Sequence, residues 1–280
     1  MFEKFARSWE LAKASAAVLR SDKELMLFPL VSAAATLLVL ATFAIPTFAW
    51  RMFEGGFGVF GMVWAFLFYF CQYSVIIFCN CALVGAAMIR LDGGDPTLAD
   101  GFNAAKERIV SILGYAAIAA TVGVLLQALR KDDSLVVRLI GSGLGTAWTL
   151  ATFLVVPVLV SDRIGPVDAL KQSAFLLKRT WGENLIGNVG MSLVFGLVGL
   201  GVVLVGAVVV FGAAQLSVAL AIAVGVVFVI GLLLLGVVQA AIGGIYSAAL
   251  YRYVTDGEAP AAFRGMQLEQ AFASKDRAEA

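Results

Sequence analysis

Few side chains in this 280-residue chain could carry chemistry, and what is missing is informative. There is no histidine, which removes the commonest general base, proton shuttle and metal ligand together. A Ser–His or Cys–His pair is therefore impossible, and no serine and lysine share a buried face that would activate a nucleophile. The three cysteines, Cys71, Cys79 and Cys81, fall in one apolar segment. Cys79-Asn80-Cys81 lacks the two-residue spacer of a redox dithiol or a zinc knuckle. All three read as small buried hydrophobes, with no metal expected. A carboxylate pair for acid–base work would have to come from Asp92, Asp95 and Asp162, which lie in loops. No enzyme activity and no cofactor are expected.

A second set of polar groups lies inside long apolar runs. Gln72, Asn80, Thr149 and Gln239 are the candidates for lining a cavity, although such residues more often hydrogen-bond between helices as packing glue. No Asp, Glu, Lys or Arg falls near the middle of an apolar run. Buried ionisable groups are the usual mark of proton relays and ion-coupled transport, so pumps and proton-driven antiporters are disfavoured.

The elements that must position these residues follow from composition. The chain is 61% apolar and only 14% charged, with a mean hydropathy of +0.94. A soluble domain carries about a quarter charged residues. Between Glu183 and Arg252 there is no charged side chain at all, which is room for two spans of about 20 residues. The expected fold is an all-α integral membrane bundle of six transmembrane helices: about 25–50, 57–89, 109–129, 139–161, 185–211 and 216–251. Residues 1–24 precede this 25–254 membrane domain, and 255–280 form a tail. Pro29, Pro46 and Pro157 mark kinks or helix ends. The boundary between the last two spans rests on Gly212-Ala213-Ala214-Gln215. The first 24 residues are too rich in charge for a secretory signal, and the apolar run after them is too long.

Sixteen of the twenty Lys and Arg residues fall in the N-terminal segment, the tail and the loops after the second and fourth spans. Arg51, Arg130, Lys131 and Arg138 occupy the opposite loops. The positive-inside rule then places both termini in the cytoplasm. A net charge of +1 gives no reason to expect nucleic acid as a partner.

The cytoplasmic segments carry a helical rhythm. Phe2, Phe5, Trp9, Ala12, Ala16 and Leu19 step by three and four, as do Val167, Leu170, Ala174, Leu177 and Trp181. Leu98, Phe102, Ala105 and Ile109 repeat the spacing more weakly. Each segment reads as an amphipathic helix, so residues 96–108 and 166–181 are expected as interfacial helices beside residues 1–24. The candidate lipid-facing residues are Trp9, Lys13, Lys23, Arg108, Lys171, Lys178, Arg179 and Trp181. Basic side chains beside aromatics suit anionic headgroups, which are the favoured partners. The alternative is that these helices fold under the bundle as a cap. A second copy or a protein partner is left open, as GxxxG at Gly141 and Gly145 allows close helix contacts.

A turn motif, D-x-x-x-P, recurs just beyond the second, fourth and sixth spans: Asp92 with Pro96, Asp162 with Pro166, Asp256 with Pro260. Its simplest meaning is one helix ending and the next beginning; a shared binding role is the alternative. Together with the amphipathic segments it suggests three hairpins, each preceded by a short cytoplasmic helix.

The stretch Ser8-Trp9-Glu10-Leu11-Ala12-Lys13, continuing through Val18-Leu19-Arg20-Ser21-Asp22-Lys23-Glu24-Leu25 to Phe28-Pro29, resembles the opening of a family of bacterial multi-pass membrane proteins of unknown function. That resemblance implies the bacterial inner membrane and assigns no residue roles. More loosely, the helix-plus-hairpin unit is similar to the membrane domain of some glycerophosphodiester phosphodiesterases. These 280 residues hold no counterpart of their catalytic domain, so the activity does not carry over. The expected function is a non-enzymatic inner-membrane protein that interacts with lipid or scaffolds a partner. The alternative is a channel or carrier for a small neutral or apolar solute.

Overall fold

The computed structural model describes residues 2–49, 58–130, 135–181 and 186–257, with Pro260 and Phe263. Helices account for the regular structure, and no strand occurs among the described residues. In chain order they are α1 (Phe2–Ser21), α2 (Leu27–Ala49), α3 (Val59–Leu91), α4 (Leu98–Lys106), α5 (Ile109–Arg130), α6 (Leu135–Ala151), α7 (Val155–Ser161), α8 (Pro166–Trp181), α9 (Ile186–Leu216) and α10 (Val218–Asp256). A 3-10 turn, Lys23–Met26, joins α1 to α2. It is capped by Asp22, whose side chain accepts from the Glu24 amide.

Among the described residues, six segments are long and apolar enough to cross a membrane: Lys23–Phe48, Val59–Leu91, Ile109–Leu129, Ile140–Ser161, Gly199–Leu216 and Val218–Asp256. This is the composition of a multi-pass membrane protein. In lipid every backbone N–H and C=O must be satisfied within the protein, which long helices achieve. At 33 and 39 residues, α3 and α10 reach about 50 and 58 Å, well beyond the roughly 30 Å hydrocarbon core. Both must tilt or project.

Two boundaries differ from the sequence reading. The turn between the last two spans is at Ser217, and Gly212–Gln215 continue α9. Ser217 takes extended backbone angles and its hydroxyl accepts from the Leu220 amide at 3.1 Å, an N-cap that a glycine-and-alanine run cannot supply. The fourth span is not one helix but two, α6 and α7, interrupted at Thr152–Leu154. Pro157 follows the interruption. Its ring opposes the carbonyl of Phe153 and it lacks an N–H, while at the third position of α7 both features are tolerated. Pro29 sits in the first turn of α2, and Pro46 lies within that helix near its end.

The core lies at one end of the bundle, where the D-x-x-x-P turns are. There α3 buries Cys81–Met88, α10 buries Ile245–Tyr251, α7 buries Val155, Val158 and Leu159, and α5 buries Ile112 and Ala116. α3 packs against α2, α4, α5, α7 and α10, and α9 packs against α10 and α1. Toward Ser217, α9 and α10 are exposed along both faces. The first residue of the expected tail region that the structure describes as buried, Phe263, is fully enclosed in the core.

Candidate functional site

The three repeated aspartates end helices. Asp92 and Asp162 are the C-caps of α3 and α7, and Asp256 is the last residue of α10, followed by Gly257 in the left-handed conformation (φ 77°). The prolines behave less uniformly. Pro166 opens α8, whereas Pro96 is buried ahead of the cap Thr97 and lies outside α4. Pro260 accepts a hydrogen bond from the Phe263 amide at 2.8 Å.

These aspartates converge on two consecutive residues of α10. Tyr251 donates its hydroxyl to Asp162. Arg252 pairs with Asp92 through one guanidinium nitrogen and with Asp256 through the other, at 3.4 Å. The ends of the second, fourth and sixth spans are thus tied together. Arg252 and its partners are between a third and three-fifths exposed, so solvent screening leaves each pair worth less than about 1 kcal/mol. Arg90 closes the neighbouring turn, donating to the Gly94 carbonyl at 3.1 Å and lying 3.6 Å from Asp95.

The three segments expected to be amphipathic each bury residues against the bundle. On α1, Leu11, Ala12, Ala14, Ser15, Val18 and Leu19 are buried while Lys13 is exposed. On α4, Gly101 and Ala105 are buried. A Cβ on Gly101 would overlap the Phe28 ring and stand 2.7 Å from the Ala82 carbonyl, so glycine is what permits α4 to sit this close to α3. A capping box fixes the start of α4, with Thr97 and Asp100 each bonding the other's backbone N–H. The Thr97 hydroxyl and then its amide hold the Asp100 carboxyl below its ordinary value.

α8 is the most informative of these helices. Its buried side is Ala169, Ser173, Leu176 and Leu177, rotated from the expected stripe, since Val167 is 51% exposed. Ser173 reaches the interruption in the fourth span. Its hydroxyl donates to the Ala151 carbonyl at 2.7 Å and accepts from the Leu154 amide at 3.0 Å. Those are backbone groups left over by the break: the Phe153 amide takes the Leu150 carbonyl and the Val155 amide takes the Thr152 carbonyl. Opposite Ser173, the outer face carries Val167, Lys171, Phe175 and Lys178, all exposed. Lys171 lies 3.4 Å from Asp168.

The other candidates are more scattered. Lys23 is exposed, and Arg108 is half-buried between α4 and α5 with Nε lacking a hydrogen-bond partner among the described residues. The side chains of Trp9, Arg179 and Trp181 lie outside the described part of the chain. Gln72 and Asn80 are half-buried on α3, where Gln72 Oε1 is buried without a partner. Thr149 bonds back to the Gly145 carbonyl at 2.9 Å and is exposed, as is Gln239. An open apolar groove of about 820 Å³ lies elsewhere, between α9 and α10, lined by residues such as Val205, Gly206 and Phe228. Cys79 and Cys81 are buried free thiols and Cys71 is half-buried. No cluster of potential metal ligands occurs among the described residues.

Sequence reasoning missed Ser173, the Tyr251–Asp162 bond and the contact of Phe28 with Gly101. One signal was available, a serine four residues from Ala169 and Leu177 on a short helix following a proline-containing span. Residues 59–261, which carry all of α8, the tied aspartates and Arg252, match a family of unknown function, DUF6159. The chain belongs to that family. The match does not reach the Ser8–Pro29 stretch, and the likeness to phosphodiesterase membrane domains is no part of what it establishes. No curated protein matches the chain.

Proposed function

We propose that this family member is a non-enzymatic membrane protein that holds anionic lipid headgroups along the outer face of α8. The observation that carries the reading is the composition of that face: exposed Val167 and Phe175 alternate with exposed Lys171 and Lys178, while the opposite side is buried. An outward surface that mixes apolar and cationic groups suits the boundary between acyl chains and phosphates. A helix serving only as a cap would gain nothing from exposing Phe175.

The distribution of Lys and Arg supports a cytoplasmic position for this end of the bundle. The reading of repeated helix-plus-span units has support of its own. Gly101 approaches Ala82 and Ala104 approaches Gly85, pairs separated by the same nineteen positions as the Leu154–Ser173 bond. That common spacing supports one register for α4 and α8 against their preceding spans. The solute-carrier reading gains no comparable support, because Thr149 and Gln239 are exposed.

The test is lipid retention. The purified protein, extracted from bilayers of equal phosphatidylglycerol and phosphatidylcholine, is examined by native mass spectrometry. Enrichment of phosphatidylglycerol that falls to the bulk ratio in Lys171→Gln/Lys178→Gln/Arg179→Gln is expected. Equal retention of both lipids by the unaltered protein would overturn the proposal.

A further inference from the structure

We infer that α8 is a lipid-read splint for the fourth span, coupling headgroup occupancy on its outer face to the kink at Thr152–Leu154. This rests on the headgroup reading above and adds a consequence inside the membrane.

Pro157 prevents the fourth span from running as one helix, and the Ala151 carbonyl and Leu154 amide are left without helical partners. Neither group can be abandoned in a low-dielectric interior. A single side chain from a different helix satisfies both, the Ser173 hydroxyl as donor at 2.7 Å and as acceptor at 3.0 Å. Ser173 is fully buried, so the bonds depend on α8 staying docked.

The outer face is mechanically tied to that bond. At 100° per residue, Lys171 and Phe175 each lie about 200° around the helix from Ser173. Whatever presses the Lys171–Phe175–Lys178 face against the bilayer boundary also seats Ser173 in the break. Without anionic phosphate, Lys171 and Lys178 gain more from bulk water than from the boundary, and α8 lifts more readily. The orphaned carbonyl then accepts from water, and the orphaned amide exchanges its hydrogen with it. The kink itself is set by Pro157; the lipid controls whether it is held shut.

The experiment is hydrogen exchange at the Leu154 amide of the full chain in nanodiscs of phosphatidylcholine alone or with phosphatidylglycerol. Protection roughly tenfold greater in the anionic bilayer is expected, the scale of one hydrogen bond. Lys171→Gln/Lys178→Gln should abolish the lipid dependence, Ser173→Ala should leave Leu154 unprotected in both bilayers, and Ser173→Thr should restore it. Should Ser173→Ala fail to fold, the threonine and glutamine variants still decide. Selective retention of anionic lipid with no change at Leu154 would overturn the coupling while leaving the headgroup reading intact. Loss of both would remove both.

Discussion

Arg252, one turn before the end of the last span, pairs with Asp92 at the end of the second, 160 positions earlier in the chain. The same guanidinium holds Asp256 on its own helix, and the preceding residue, Tyr251, holds Asp162. The three spans are therefore fastened at one end, above the densest part of the core, while α9 and α10 stay exposed toward the other end.

If this junction fastens the spans, Arg252→Gln and Asp92→Asn should each lower the melting temperature in detergent by a small amount. The coupling in a double-mutant cycle should be below about 1 kcal/mol, because the pair is partly exposed, and should shrink further at high salt. Additive effects of the two substitutions would show that the pair contributes nothing.

Close packing of α4 makes a sharper prediction. Gly101→Ala places a methyl group against the Phe28 ring and the Ala82 carbonyl, and should destabilise by about 1–3 kcal/mol, as overpacking does. Gly243→Ala, where a Cβ meets nothing within 4 Å, is the matched control. Equal thermal stability of the two variants would contradict the placement of α4.

The α4 cap should respond to acid. Hydrogen bonds from Thr97 favour the ionised Asp100 and depress its carboxyl in the folded protein. A depressed carboxyl contributes stability that is present above its unfolded value and lost as pH falls through the folded one. Protection of the Thr97 amide, its exchange measured against the intrinsic rate at each pH, should therefore fall on acidification, and Asp100→Asn should show low protection already at neutral pH. A pH-independent difference between the two proteins would sink the assignment.

Topology can be checked chemically. In a background with Cys71 replaced, Ser217→Cys should react with a membrane-impermeant maleimide from outside sealed right-side-out vesicles, and Lys178→Cys only after they are opened. The reverse pattern would invert the proposed orientation.

Much of the fold was readable because its causes are local. Apolar runs between charged loops gave an all-helical chain with six membrane-length segments, since the bilayer imposes a length that neighbours cannot change. The turn at Ser217 was misplaced because a capping hydroxyl between two apolar helices has a weaker pattern than a glycine-containing run. The break at Thr152–Leu154 was only half visible. Pro157 announces it, but its repair by Ser173 depends on a helix packed back nineteen positions away. The convergence of Asp92, Asp162 and Asp256 was equally hidden, because a repeated motif says nothing of which side chain will collect the repeats. The outer stripe of α8 is displaced from the expected one for the same reason: the bundle takes Ala169, Ser173 and Leu177, leaving Val167 and Phe175 outside.

The central claim, that the outer face of α8 meets anionic lipid, is tested most directly by placing benzoylphenylalanine at Phe175 and irradiating the protein in bilayers. Lipid adducts are predicted at this position, more with phosphatidylglycerol than with phosphatidylcholine, and fewer once Lys171 and Lys178 are neutralised. Adducts to protein alone, or lipid adducts indifferent to headgroup charge, would contradict it.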